Sequence, residues 1–452
     1  MSKSSKQLDF TTGSIVSKLM RFALPVLAAL FLQAMYGAVD LLVVGKFAAT
    51  ADVSAVATGS QILHTVTGIL VGLSTGITVL VAQKLGEGRP EDAGKAVGSG
   101  IALFAVIAAV FTVLLVLFST PIARVMQAPA AAFRETVGYV RICMAGTAFI
   151  IAFNVLGSIF RGIGDSQMPL ITVAIACVVN IFGDLLLVAV CGMGAAGAAI
   201  ATVFAQGVSV VLSVIIIRRR HLPFSFSRRD IRFDRPLTEK IIRIGLPISL
   251  QDLLVSISFL VIMAIVNSLG LVPSAGVGVA EKLCAFVMLI PMAYSQSMSA
   301  FVAQNIGAKK PERAFKALWC GIGTSLAAGV CMAYLSFFHG DSLARIFTSD
   351  APVIAAAASY LKAYAIDCLL TSFLFCLIGY FSGRGNTVFV LIQGVIGAFA
   401  VRIPVSFLVS RIPDVPLFYI GLATPASTVV QILLFSGFFL YLRRQRANGK
   451  EV

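Results

Sequence analysis

Asp40 is a carboxylate inside the first apolar stretch of the chain, Leu19 to Lys46, and no basic residue stands within a few turns below it. Roughly 20 apolar residues at about 1.5 Å each cross a bilayer, so this acid lies at membrane depth without a partner on its own helix. Charge at such depth costs a few kcal/mol or more, and Asp40 is therefore expected to belong to an ion-coupling site. Counting along later apolar stretches brings Asp184 in the fifth, and Thr202 near the outer end of the sixth, to a similar depth. Asn180 precedes Asp184 by four residues and shares its helical face. Two carboxylates in one dry pocket cannot both ionise cheaply, so the pair can hold a proton near neutral pH. Joined by Asn180 and Thr202, the oxygens of Asp40 and Asp184 equally suit Na⁺, and the residues do not decide between the two ions. Pro25, in the same helix as Asp40, leaves the carbonyl of Arg21 without its usual donor and favours a bend.

The second half carries acids too, at Asp252, Glu281 and Asp367, but Lys282, Lys362 and Arg402 accompany them. Acid–base pairing is available there, so Glu281 and Asp367 form a candidate second polar site that structural pairing would explain equally well. Asp252, near the inner end of its span, reads as structural.

These residues sit in a chain of 452 residues that is 58% hydrophobic and 12% charged, with a mean hydropathy of +0.96. No water-soluble domain of this size has that balance, and the chain is expected to be an all-α polytopic membrane protein. Apolar runs between loop signals give twelve expected transmembrane helices, at 17–45, 54–83, 95–119, 135–158, 168–191, 195–217, 241–269, 276–304, 314–338, 353–380, 387–410 and 417–441. The polar start contains no apolar core with a cleavage site, so the first span is expected to remain as a signal anchor. The net charge of +15 is one-sided: Lys3, Lys6, Lys18, Arg21, Lys84, Arg89, Lys95, Arg161, the stretch from Arg218 to Arg243 and Lys450 all fall on one side. That asymmetry predicts a multi-pass protein of the cell membrane with both termini cytoplasmic, and it removes the reason to invoke nucleic acid. Eight cysteines lie in or at the ends of apolar runs and read as small buried hydrophobes, while the three histidines, including His221, are scattered. No nucleophile motif, phosphate loop or metal cluster appears, so neither an enzyme nor a cofactor beyond a coupling ion is expected.

The two halves repeat. Val81-Ala-Gln-Lys-Leu-Gly86 matches Val302-Ala-Gln-Asn-Ile-Gly307, and Phe160-Arg-Gly-Ile-Gly-Asp165 matches Phe381-Ser-Gly-Arg-Gly-Asn386, both at an offset of 221. Six spans per copy make the copies parallel, related by an axis along the membrane normal. The expected organisation is a six-helix bundle over 1–217, a basic cytoplasmic linker over 218–240 and a second six-helix bundle over 241–452. Two such bundles suit a central cleft and alternating access by rocking.

The Pro25-to-Asp40 and Gly45 pattern, the paired Val-Ala-Gln-x-x-Gly loops, Phe160 to Pro169 and Gly192-Met-Gly-Ala-Ala-Gly-Ala-Ala-Ile-Ala-Thr202 together resemble the multidrug and toxic compound extrusion (MATE) transporters over nearly the whole chain. The resemblance implies a V-shaped antiporter that expels cationic or amphiphilic small molecules against inward flow of H⁺ or Na⁺, acting as a monomer among membrane lipids. The first repeat looks most like the DinF-type branch, in which an acid on helix 1 joins an Asn and an Asp on helix 5; Asp40, Asn180 and Asp184 stand at those positions, and Thr202 fits the same cluster. Asn154 joins the expected site on resemblance alone. Asp367 resembles the coupling position of the NorM-type branch. The rival within the superfamily is a flippase for lipid-linked oligosaccharides, which would need cations in its cleft to hold a pyrophosphate.

Overall fold

The structure, a computed structural model, describes residues 7–219, 222–413 and 415–447. Lys3, Lys6, Arg220, His221 and Lys450 lie outside the described residues. The chain is all helical: among the described residues there is no strand. Eleven helices are long and apolar enough to cross a membrane, and a bent pair supplies a twelfth span. The spans are α1 (Ile15–Phe47), α2 (Thr50–Gly86), α3 (Pro90–Leu117), α4 (Ala130–Ala145 with Thr147–Gly162), α5 (Gln167–Val190), α6 (Gly194–Arg219), α7 (Arg235–Asn267), α8 (Leu271–Gly307), α9 (Pro311–Phe338), α10 (Ala351–Arg384), α11 (Thr387–Ser410) and α12 (Leu417–Gln445). Each expected apolar run coincides with one of them, because runs of this length can satisfy their backbone in lipid only as helix, although the runs at 95–119, 168–191 and 241–269 extend one or two residues past the helix ends.

Contacts divide the chain into two compact units: Met1–Ser249 with Ala303–Lys310, and Leu250–Val302 with Pro311–Val452. In the first unit the core runs through Ile77, Leu80, Val97, Met144, Ile151 and Phe160. The basic stretch expected as a linker packs onto α3, where Ser99 Oγ donates to the Arg232 carbonyl at 3.3 Å. The repeated glycines also have a packing role. A side chain on Gly86 would run into the Gln304 carbonyl, and one on Gly307 into the Gln83 carbonyl, so the two repeat loops exchange the same close backbone approach.

The residues ahead of α1 are tied down as well. Phe10 is buried, its N–H donates to Gln304 Oε1 at 2.7 Å, and Asn305 Nδ2 donates to its carbonyl at 3.2 Å. Partial burial alone would raise the Asp9 carboxyl, but hydrogen bonds from Thr11 and Thr12 and the charge of Lys18 hold it below its ordinary range.

In the second unit the core gathers Ile262, Val266, Val277, Tyr360, Leu361 and Tyr364. Three of the eight cysteines depart from expectation: Cys191 and Cys331 are exposed and Cys320 is half-buried. Position in an apolar run does not reveal which side of a helix meets its neighbours.

Candidate functional site

Three helices of the first unit bring the expected residues together. On α1, Ser14 caps the helix start, Pro25 lies within an unbroken helix, and Asp40 is 3% exposed near its far end. On α5, Asn180 and Asp184 are buried one turn apart. The α-helical hydrogen bonding gives way at Leu185 to a π-helical turn that runs to Val190. There the Cys191 N–H reaches back five residues to the Leu186 carbonyl at 2.9 Å. Turns of this kind are rare and concentrate at functional sites, and here one begins immediately after an acid.

The third wall is α6, whose start is fixed by the glycine motif. Gly194 has φ +55°, and a side chain there would collide with the Asp52 carboxylate. Without one, Asp52 Oδ1 accepts from the Ala195 N–H at 2.8 Å, placing a carboxylate at the positive end of α6. Further along, Gly183 faces Ala201, so α5 and α6 approach closely at the level of Asp184 and Thr202.

Within this frame the polar groups form a chain. Asn180 Nδ2 donates to Thr202 Oγ1 at 3.5 Å, and the Thr202 hydroxyl can donate its single proton to Asp40 Oδ2 at 3.2 Å or to the Ala198 carbonyl at 3.0 Å. The Asp40 and Asp184 carboxyls lie close enough to influence each other electrostatically. Asp40 Oδ1, Asn180 Oδ1 and both carboxylate oxygens of Asp184 receive no donor. Among the described residues no lysine or arginine acts on either acid. Four buried acceptors without a donor are an arrangement that a proton or a small hard cation would satisfy. An apolar cluster of Val43, Val44, Val188, Ala195 and Ala198 packs one turn beyond these groups.

Asn154 is not joined to this cluster. It is buried on the second limb of α4, and its Nδ2 donates to the Ile150 carbonyl at 2.8 Å. The structure instead adds Gln206, which sequence reasoning missed; it is 7% exposed with Oε1 lacking a donor, and its side chain lies near the Tyr36 hydroxyl. The available signal was spacing: Gln206 follows Thr202 by four residues, as Tyr36 precedes Asp40 by four.

The second-half residues belong to a different arrangement. Asp367 on α10 is 1% exposed, and its Oδ1 accepts from Thr428 Oγ1 at 2.6 Å. Glu281 on α8 is partly exposed, with Oε1 lacking a donor. Asp252 is exposed. Arg141, in the first unit, donates from Nε to Ser119 Oγ at 3.5 Å.

Comparison with known proteins agrees with this architecture. The family described as MatE matches residues 25–186 and again 247–408, one match per repeat. The chain is 24% identical to the probable multidrug resistance protein YoeA of Bacillus subtilis strain 168, over 96% of this chain and 95% of that protein. It is 26% identical to the probable multidrug resistance protein YpnP of the same strain, over 90% and 91%. It shares its fold with a multidrug resistance MATE family transporter of the MOP superfamily solved in an outward-facing conformation, at a TM-score of 0.91 and 19% identity over 99% of this chain and 100% of that one. With the family matched once in each repeat, the chain belongs to the MatE family and is a multi-pass membrane transporter, not an enzyme.

Proposed function

We propose that this chain exports cationic or amphiphilic small molecules across the cell membrane by alternating access, driven by entry of H⁺ or Na⁺ at the Asp40–Asp184 site, with both termini in the cytoplasm and a single chain sufficient for transport. The observation that carries this reading is the set of four buried acceptors on Asp40, Asn180 and Asp184 that receive no donor and have no basic residue acting on the acids. A buried acid pair of this kind is stable only with a cation or proton aboard, so its occupancy is tied to whatever changes its packing. Asp40 supplies the exchangeable charge, Asp184 shares it, and Thr202 and Asn180 orient the oxygens. Pro25 makes the lower part of α1 easy to bend, giving the site a means of changing helix packing when it is neutralised. The names of the relatives support a small organic cargo, and an acid-rich first bundle suits a cationic or neutral one better than a pyrophosphate.

The test is transport by purified protein in liposomes with a proton gradient and a Na⁺ gradient imposed separately. Efflux of an organic cation should follow one gradient and collapse in Asp40→Asn. Equal transport with no gradient, or with Asp40→Asn, would overturn the reading.

A further inference from the structure

The second bundle resolves the electrostatic problem of a buried acid with a residue of its own. Three basic residues lie in its spans near acids, and the structure separates them: Lys282 and Lys362 are exposed, whereas Arg402 on α11 is 5% exposed. Arg402 ends a π-helical turn, Ile396–Arg402, in the span that repeats α5. Its Nη1 donates to Ser258 Oγ at 3.1 Å, and its guanidinium lies 4.5 Å from the ring centroid of Phe259. Ser258 and Phe259 thus hold the cation from α7, through a hydrogen bond and through attraction to an aromatic face. Its Nε, also buried, has no acceptor. Arg402 and Asp367 attract each other without forming a direct ion pair, and Asp367 also accepts a hydrogen bond from Thr428.

We propose that Arg402 is a tethered cation that fills, in the second bundle, the role that H⁺ or Na⁺ fills in the first, so that Asp367 is a fixed counter-charge and the chain carries one exchangeable cation site. The inference rests on the ion-coupled reading of the first bundle. A guanidinium stays protonated throughout the physiological range, so the charge it brings cannot leave as a proton. Being covalently attached, it has an effective concentration at Asp367 that a dissolved cation at millimolar level does not match. Glu281 acts on two of the same neighbours, Cys284 and Tyr360, and is partly exposed, although its Oε1 is buried without a donor.

The experiment counts cations on the purified full chain, by calorimetric titration with NaCl against choline chloride and by proton uptake with an indicator dye, and tracks melting temperature in parallel. Wild type should bind one cation per chain and Asp40→Asn none. Asp367→Asn should keep the count at one while lowering the melting temperature, because it leaves Arg402 buried without its counter-charge. Asp367→Asn with Arg402→Gln should recover most of that loss. In the Asp40→Asn background, Arg402→Gln should create a new cation site that Asp367→Asn removes again. If Arg402→Gln does not fold, Arg402→Lys keeps the charge and must keep the count at one; a second cation in that variant would overturn the proposal. A cation retained by Asp40→Asn and lost with Asp367→Asn would overturn it directly, as would melting losses at Asp367 and Arg402 that simply add. Full binding in both Asp40→Asn and Asp367→Asn would instead fault the first-bundle reading, leaving the paired melting temperatures to judge Arg402.

Discussion

Asp40 and Asp367 are both almost fully buried, and each accepts a hydrogen bond from a threonine on a later helix of its bundle: Thr202 at 3.2 Å in one case, Thr428 at 2.6 Å in the other. They differ in what else is near. Beside Asp40 stands a second acid, Asp184, whose two oxygens lack donors; near Asp367 stands Arg402, held by Ser258 and Phe259. One bundle therefore leaves its charge to be balanced from outside the chain, and the other balances it internally. Sequence repetition has preserved the helices while the electrostatics have diverged, so a role assigned to an acid in one repeat does not transfer to the other by symmetry.

The largest effects should come from the first bundle. Asp40→Asn keeps the shape of the side chain and removes the titrating group, so the protein is expected to insert and fold, yet to show ion-driven efflux no faster than empty liposomes. Asp184→Asn should be nearly as severe, and the double replacement no worse than the worse single one, since both acids serve one ion. Transport losses that add in free energy would divide the pair into two sites and undo the contrast with the second bundle.

A smaller effect is expected from Pro25→Ala, which restores the donor missing from the Arg21 carbonyl and stiffens the lower part of α1. Efflux should slow several-fold while cation binding, read calorimetrically, stays near wild type. The coupling site is about four turns away, so a change in cation affinity as large as the change in rate would place the effect of Pro25 in the site and not in the motion.

Much of this architecture is legible in the sequence. Twelve spans come from run length, because lipid leaves the backbone no alternative to helix. The meeting of Asp40, Asn180, Asp184 and Thr202 comes from depth counting on alternating helices. The features that the sequence withheld depend on rotation and local winding. Gly146 joins two limbs of α4 that diverge by 51°, and a glycine within an apolar run reads equally well as a straight helix. The π-helical turns after Asp184 and before Arg402 carry no residue signature, although each rotates the helical residues beyond it. Lys282, Lys362 and Arg402 read as interchangeable partners for Asp367, and only their burial in the structure, Arg402 inside and the two lysines exposed, separates them. Asn154 matches by resemblance, and its side chain bonds to its own helix.

The finest test of the comparison uses the two threonines, because the same substitution should have opposite signatures. Valine replaces threonine with almost no change in shape and removes only the hydroxyl. In Thr202→Val the carboxylate of Asp40 loses a donor that helps hold its oxygens in position for a cation, and the Ala198 carbonyl keeps its helical partner. Side-chain hydrogen bonds within membranes are worth about 1 kcal/mol, so apparent cation affinity should fall roughly three- to tenfold with little change in melting temperature. In Thr428→Val the acid loses its 2.6 Å donor, but no exchangeable ion depends on it. The cost then appears in the folded state alone: melting temperature should drop by a few degrees while cation affinity and coupling stay at wild-type values. Measured on the same preparation, the two variants separate an acid that waits for an ion from an acid already answered by Arg402. Weaker cation binding in Thr428→Val would mean that Asp367 also exchanges its counter-charge, and the two bundles would then differ in degree and not in kind.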